Sequence, residues 1–330
     1  CDSESPSGTV MQRSNTTVAA QAPSVGAGAS LASPTVTENA PSLTVTTACS
    51  FQNIPSSEFA EIFQKTYGGI GTDYGHAVSQ TMDGEYIAVG YTQNYGAGDD
   101  DVYVVQTGAN GTVNWTKAYG GALGDAAYAV DQCFDGGYII AGETENYGSG
   151  SKDVYLLRIN SVGDTVWTKA YGASNSDFAR SVRQTHDGGF ITAGSRYGSG
   201  QGILLIKSNS DGSLAWTRTY GASISEGNDV RQTADGGYIV VGETSAFGAG
   251  GQDVLLIRTD ENGDTLWTKA YGGTGNDEGN SVWETSDGGF IIAGTTSSWG
   301  AVRKSWPGRS SESATWGGCF LSTSKRASPL

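Results

Sequence analysis

The sequence predicts an all-β fold, a β-propeller of four-stranded antiparallel blades in about five repeats, the last incomplete. Three observations predict it: a motif that recurs every 49 to 52 residues, four short stretches rich in β-branched and aromatic residues in each recurrence, and no proline between residues 63 and 299. Gly 50 among 330 residues with only Pro 7 suits a turn-rich β protein and excludes collagen and proline-rich disorder.

In chain order, residues 1–62 come first. They hold five of the seven prolines and long Ser, Thr and Ala runs, too poor in large apolar groups to offset the entropy of ordering them, and read as a flexible tether. Cys1 at the head of such a tract is expected to carry a lipid, as the first residue of a microbial lipoprotein does after its signal peptide is removed. The repeats occupy 63–299 and divide into 63–114, 115–166, 167–215, 216–266 and 267–299.

Each repeat opens on Trp-Thr-(Lys/Arg)-(Ala/Thr)-Tyr-Gly at Trp115, Trp167, Trp216 and Trp267, with Phe63 heading the first copy. These aromatic residues are expected to pack between blades. Ten residues on stand Asp73, Asp125, Asp177 and Asp277, with Glu226 in the fourth copy. A residue present in nearly every blade is first of all structural, and these acids are expected to hydrogen-bond a turn. Gln80, Gln132, Gln184 and Gln232, with Glu284 in the fifth copy, are expected to satisfy backbone groups between blades. An Asp-Gly-Gly-(Tyr/Phe)-Ile segment follows (Asp-Gly-Glu-Tyr-Ile in the first copy), with Gly90, Gly142, Gly194, Gly242 and Gly294 each seven residues after its Asp. An apolar strand then begins at Asp101, Asp153, Gly202 and Asp253, and a Gly turn closes the unit.

The Asp-Gly-Gly-Tyr-Ile core, with Asp-Val-Tyr-Leu-Leu-Arg and Gly-Asp-Thr-x-Trp, resembles the β-propeller repeats of microbial secreted and surface lipoproteins. That resemblance covers 63–299, implies a propeller in an extracellular or cell-surface setting, and carries over no catalytic residue. A weaker one links 260–267, Asp-Glu-Asn-Gly-Asp then Leu-Trp, to the blade junctions of quinoprotein dehydrogenases and outer-membrane assembly lipoproteins. It speaks to fold and not to redox chemistry.

The fifth copy departs from the pattern after Gly300. Where the others continue into an apolar strand, it runs Val302-Arg-Lys-Ser-Trp-Pro, and 300–330 reads as an atypical basic, Ser-rich tail. A frame change and a genuine extension both explain it. Within the tail 318–324 could form a degenerate strand; alternatively 42–51 supplies the missing strand and brings Cys49 near Cys319.

A net charge of -15 excludes a nucleic-acid partner, since phosphate binding needs a basic face. No apolar run is long enough to span a bilayer, so contact with a membrane is expected only through the lipid on Cys1. Four scattered cysteines and two histidines offer no metal-ligand spacing and no cofactor signature.

Function in a repeat protein is expected where copies share geometry and differ in side chain. The position three residues after the recurrent acid holds His76, Tyr128, Arg180, Asn228 and Asn280, allowing a one-residue gap in the fourth copy. Equivalent positions on successive blades form a ring, and these groups suit a carbohydrate or protein ligand; a variable solvated loop is the plainer reading. Three classes of function stay open. The leading one is a non-catalytic surface module for binding, display or self-assembly through the incomplete blade. The others are a propeller enzyme, glycosidase-like or quinoprotein-like, and a fibre subunit.

Overall fold

The computed structural model describes residues 63–221 and 225–298, together with the backbone of 320–324. Cys1, Cys49, Cys319, the segment 42–51 and the rest of the tail lie outside the described residues, as do the expectations attached to them.

The first sheet is β1 (Asp73–Gln80), β2 (Tyr86–Thr92), β3 (Asp101–Thr107) and β4 (Val113–Tyr119). The second is β5 (Asp125–Gln132), β6 (Tyr138–Thr144), β7 (Asp153–Ile159) and β8 (Thr165–Tyr171), and the third β9 (Asp177–Gln184), β10 (Phe190–Arg196), β11 (Gly202–Ser208) and β12 (Leu214–Tyr220). The fourth is β13 (Ser225–Gln232), β14 (Tyr238–Thr244), β15 (Asp253–Thr259) and β16 (Thr265–Tyr271); the fifth is β17 (Asp277–Glu284), β18 (Phe290–Thr296) and β19 (Phe320–Ser324). Strands pair antiparallel in sequence order within every sheet, and first strands of successive sheets lie side by side at the hub. Among the described residues, four four-stranded blades and a three-stranded fifth make the chain a β-propeller whose last blade is incomplete.

The sequence repeats are one strand out of phase with these blades. The Trp strand that opens each repeat is the outer, fourth strand of the sheet before it, and the apolar Asp-Val runs are third strands. In the fifth sheet β19 takes the third-strand place beside β18.

Apolar layers between blades supply the cohesion. Ile87, Val89, Val102 and Val104 of the first blade meet Val130, Ile140 and Leu157 of the second in one buried cluster, and the three following junctions repeat the arrangement. Burial of such side chains contributes roughly 1.5–3 kcal/mol each relative to exposure. Outer strands cap each junction: Trp115, Trp167, Trp216 and Trp267 meet Tyr138, Phe190, Tyr238 and Phe290 of the next blade at ring separations of 5.7 to 6.5 Å. Four of the five recurrent Gln or Glu residues then tie a blade to its predecessor: Gln132 Oε1 accepts from Met82 N at 2.6 Å, Gln184 from Phe134 N at 2.7 Å, Gln232 from His186 N at 2.9 Å and Glu284 from Ala234 N at 2.8 Å, whereas Gln80, in the first blade, donates to Gly84 O of its own turn.

Phe63 and Tyr67 show what residues 63–67 do. Phe63 meets Tyr86 edge-on at 6.0 Å, and Tyr67 Oη donates to Gly111 O, as Tyr220 Oη of β16's predecessor β12 does to Gly263 O. The segment therefore occupies, against the first blade, the place an outer strand holds at every other junction. Packing of the kind that joins β1 to β5 is not found between β17 and β1. Accordingly Tyr74 and Val78 on β1 and Trp283 on β17 are exposed, whereas Val130, Val182 and Val230, the counterparts of Val78, are buried.

Candidate functional site

A β-bulge interrupts every first strand at one place. The register against the second strand jumps between Gly75 and Ala77, between Ala127 and Ala129, and likewise in the other three sheets, so that His76, Tyr128, Arg180, Asn228 and Asn280 are the residues left without a partner. A bulge re-aims one side chain while the ladder continues on both sides. The recurrent glycine opposite has its cause here. A Cβ at Gly90, Gly142, Gly194, Gly242 or Gly294 would stand 1.7 to 2.0 Å from the carbonyl oxygen two residues before the bulged one, a separation no side chain tolerates.

The bulged residues and their second-strand neighbours form a continuous row across the blades. His76 and Tyr128 meet edge-on at 4.9 Å, and Tyr74 stacks on Tyr91 at 4.7 Å beside them. Arg180 Nη2 donates to Glu226 Oε2 at 2.9 Å and lies over the Phe178 ring at 5.0 Å, while Tyr197 Oη donates to the other oxygen of Glu226 at 2.5 Å. Asn228 Nδ2 donates to Gly279 O at 3.0 Å. Asn280 holds the same bulge position in the fifth blade and is half-buried.

Two glutamates at one position of the second strand complete the row. Glu143 accepts from Lys152 Nζ at 2.6 Å. Its counterpart Glu243 is buried, accepts from Gln252 Nε2 at 3.2 Å, and has its carboxyl pushed up to about 7, by burial first and then by the charges of Glu278 and Glu226. Burial likewise holds the His76 imidazole below its usual range and raises the Tyr128 hydroxyl, with the charge of Glu143 adding to the latter. Aromatic rings, amides, carboxylates and one guanidinium thus lie along one row at the bulge end of the first and second strands.

Glu226 differs from its sequence alignment. The strand register places Ser225, paired with Thr244, where the other blades have Asp paired with Thr or Arg. Glu226 instead aligns with Tyr74, Ala126, Phe178 and Glu278, and the one-residue gap vanishes. The recurrent acids themselves bind turns: Asp73, Asp125, Asp177 and Asp277 accept from the amides of Gly69, Gly121, Ala173 and Gly273 at 2.7 to 2.9 Å. At the other end of the second, third and fourth blades, the Asp of the Asp-Gly-Gly turn pairs with a buried cation on the third strand, Asp135 with Arg158, Asp187 with Lys207 and Asp235 with Arg258. A cavity of about 240 Å³ there, lined by Asp135, Arg158, Trp167 and Phe190, lies in the groove between the second and third blades, away from the bulge row.

No protein-family model matches the sequence, and no curated protein matches it. Among solved structures, a protein of unknown function from Dyadobacter fermentans is similar at 14% identity and a TM-score of 0.43, over 66% of this chain and 73% of that one. A putative gluconolactonase is similar at 12% identity and a TM-score of 0.38, over 66% and 70%, and the periplasmic gluconolactonase of Pseudomonas aeruginosa at 14% and 0.36, over 64% and 76%. Likeness at this level leaves the chemistry to the residues of this chain.

Proposed function

We propose that the chain is an extracellular binding module that takes a carbohydrate at the bulge end of its hub. The observation that carries this reading is the row itself: five bulges aim His76, Tyr128, Arg180, Asn228 and Asn280 to one end, with Tyr74, Tyr91 and Tyr197 beside Glu143 and Glu226. Sugar faces stack on aromatic rings, and hydroxyls take hydrogen bonds from amides and guanidinium and give them to carboxylates. Glycan-array screening followed by calorimetry on the hit tests it. Tyr128→Ala and Arg180→Ala are expected to weaken binding at least tenfold without lowering the melting temperature by more than a few degrees. Absence of any glycan ligand, or unchanged affinity in both variants, would overturn the reading.

Glu243 favours a second reading, a glycoside hydrolase. A carboxyl held near 7 is protonated often enough at neutral pH to act as a general acid, and Glu226 and Glu278 supply nearby carboxylates. Release of reducing sugar from the bound glycan, abolished by Glu243→Gln with binding retained, separates hydrolysis from binding alone.

A further inference from the structure

Two families of buried aspartates meet at the blade junctions, near the ends of β3, β7 and β15. Asp101, Asp153 and Asp253 open those third strands and are each 1% exposed. One oxygen of each is used: Oδ2 accepts from Ala97 N at 3.0 Å, from Gly150 N at 2.8 Å and from Ala249 N at 3.1 Å. The other oxygen, Oδ1, is buried without a hydrogen-bond partner in all three.

These orphaned oxygens face the first aspartate of the following blade. Beside them sits the glycine that follows each outer strand, where the two carboxylates leave no room for a side chain. A point one bond from the Cα of Gly120 lies 2.1 Å from Asp101 Oδ1 and 2.5 Å from Asp125 Oδ2. The same point at Gly272 lies 1.9 Å from Asp253 Oδ1 and 2.6 Å from Asp277 Oδ2, and at Gly172 it lies 1.8 Å from Asp153 Oδ1 and 2.9 Å from Asp177 Oδ2. With both distances so short, the two carboxylate oxygens stand less than about 5 Å apart at each junction. Asp125 Oδ2 accepts from Gly121 N and Asn146 Nδ2, and Asp277 Oδ2 from Gly273 N and Ser298 Oγ; these donors are neutral, and like charges at such range repel strongly in a low-dielectric interior unless a cation or a proton lies between them.

The fourth occurrence shows that the two acids go together. At the junction of the third and fourth blades the third strand opens on Gly202 and the next first strand on Ser225, so both carboxylates are replaced, not one. At the second junction Arg196 Nε donates to Asp177 Oδ1 at 2.8 Å, which supplies a positive charge from the protein. The first and last junctions have no such guanidinium on their acids among the described residues.

We propose that the Asp101–Asp125 and Asp253–Asp277 junctions each bind a hard divalent cation of the calcium class. No three His, Cys, Asp or Glu side chains converge among the described residues, so a ligand set of two carboxylates is completed by backbone carbonyls and water. That set suits calcium, with oxygen ligands at about 2.3–2.6 Å, and does not suit zinc. Backbone carbonyls of Gly121 and Ala122 lie against Gly98, whose amide donates to Asp101 Oδ2 at 3.3 Å, and that of Thr274 lies against Gly250 at the last junction. The cation would then clamp successive blades at the end opposite their Asp-Gly-Gly turns.

Equilibrium dialysis of the chelator-treated full chain against calcium is expected to give two tight sites per chain, and calcium is expected to raise the melting temperature. Asp101→Asn and Asp253→Asn should each remove one site and part of the thermal shift, and the double variant both; Asp83→Asn, on an exposed turn, should respond as the parent does. The dialysis count on the unaltered chain needs no variant to fold. Failure of calcium to bind, a count that neither variant changes, or a stability that follows pH and ignores calcium, as a proton shared by each pair would produce, overturns the proposal.

Discussion

Trp167 of the second blade and Phe190 of the third meet edge to face, with ring centres 5.7 Å apart and planes at 67°, and the indole Nε1 donates to Ser210 O at 3.1 Å. One side chain thereby joins an outer strand to two elements of the next blade. Trp167 is half-exposed, so truncation should cost less than the roughly 3–5 kcal/mol of a fully buried aromatic. Trp167→Ala is expected to lower stability by about 2 kcal/mol in urea melts, and Trp167→Phe by about 1 kcal/mol, the worth of the lost hydrogen bond. A neutral Trp167→Ala would show that the outer strands do not hold the blades together.

Gly142 and Gly188 should behave oppositely although both recur in the repeat. A Cβ at Gly142 would stand 1.8 Å from Ala126 O across the bulge, while at Gly188 it meets nothing within 4 Å. Gly188 has φ of +80°, so Gly188→Ala carries only the left-handed backbone penalty of about 1–2 kcal/mol. Gly142→Ala must displace a ladder and is expected to cost more than about 3 kcal/mol. Paired denaturant melts of the two variants check the contrast.

Glu243 predicts a falling stability across the acid range. Its carboxyl is raised from 4.5 to about 7, so between those values the folded state holds more protons than the unfolded one. Its contribution is fully present below pH 4.5 and is lost as the pH rises through 7, by an amount on the order of 3 kcal/mol. Glu243→Gln should flatten that limb of the pH–stability curve. An unchanged slope would show that Glu243 titrates normally.

Cys133 offers a probe of blade opening. It is fully buried between the second and third blades, and burial pushes its thiol up to about 12. With Cys1, Cys49 and Cys319 replaced by Ser, its reaction with a thiol reagent is expected to be as slow as unfolding itself. Modification within minutes in native buffer would mean that this junction opens locally.

Much of the fold is legible in the sequence because a repeated blade prints its requirements several times. The Trp of each outer strand, the Gln that ties blades and the Asp-Gly-Gly turn all recur, and each has one structural duty. Blade phase is less visible: a circular repeat has no intrinsic start, and Trp115 reads equally well as the first residue of one unit or the last strand of another. The bulge is hidden for a different reason. Its residue varies from His76 to Asn280, and only its steric shadow recurs, in Gly90 and its counterparts across the ladder. Glu143 and Glu243 escape notice because they occupy their second-strand position in only two blades, where Tyr91, Ser195 and Thr295 stand in the others. Ser225 escapes because Glu226 offers an acid one residue away.

The bulge has a bearing on how such a chain can change. A residue with no rung in the ladder carries no register, so substituting it leaves strand pairing within the blade in place, and the fixed glycine opposite keeps room for the bulge whatever the residue's identity. Each further copy of a blade thus adds one more unpaired position to the same row. The bulge row becomes a short word spelled one letter per blade, His, Tyr, Arg, Asn, Asn, and rewriting it asks for point substitutions at five positions of one repeated strand.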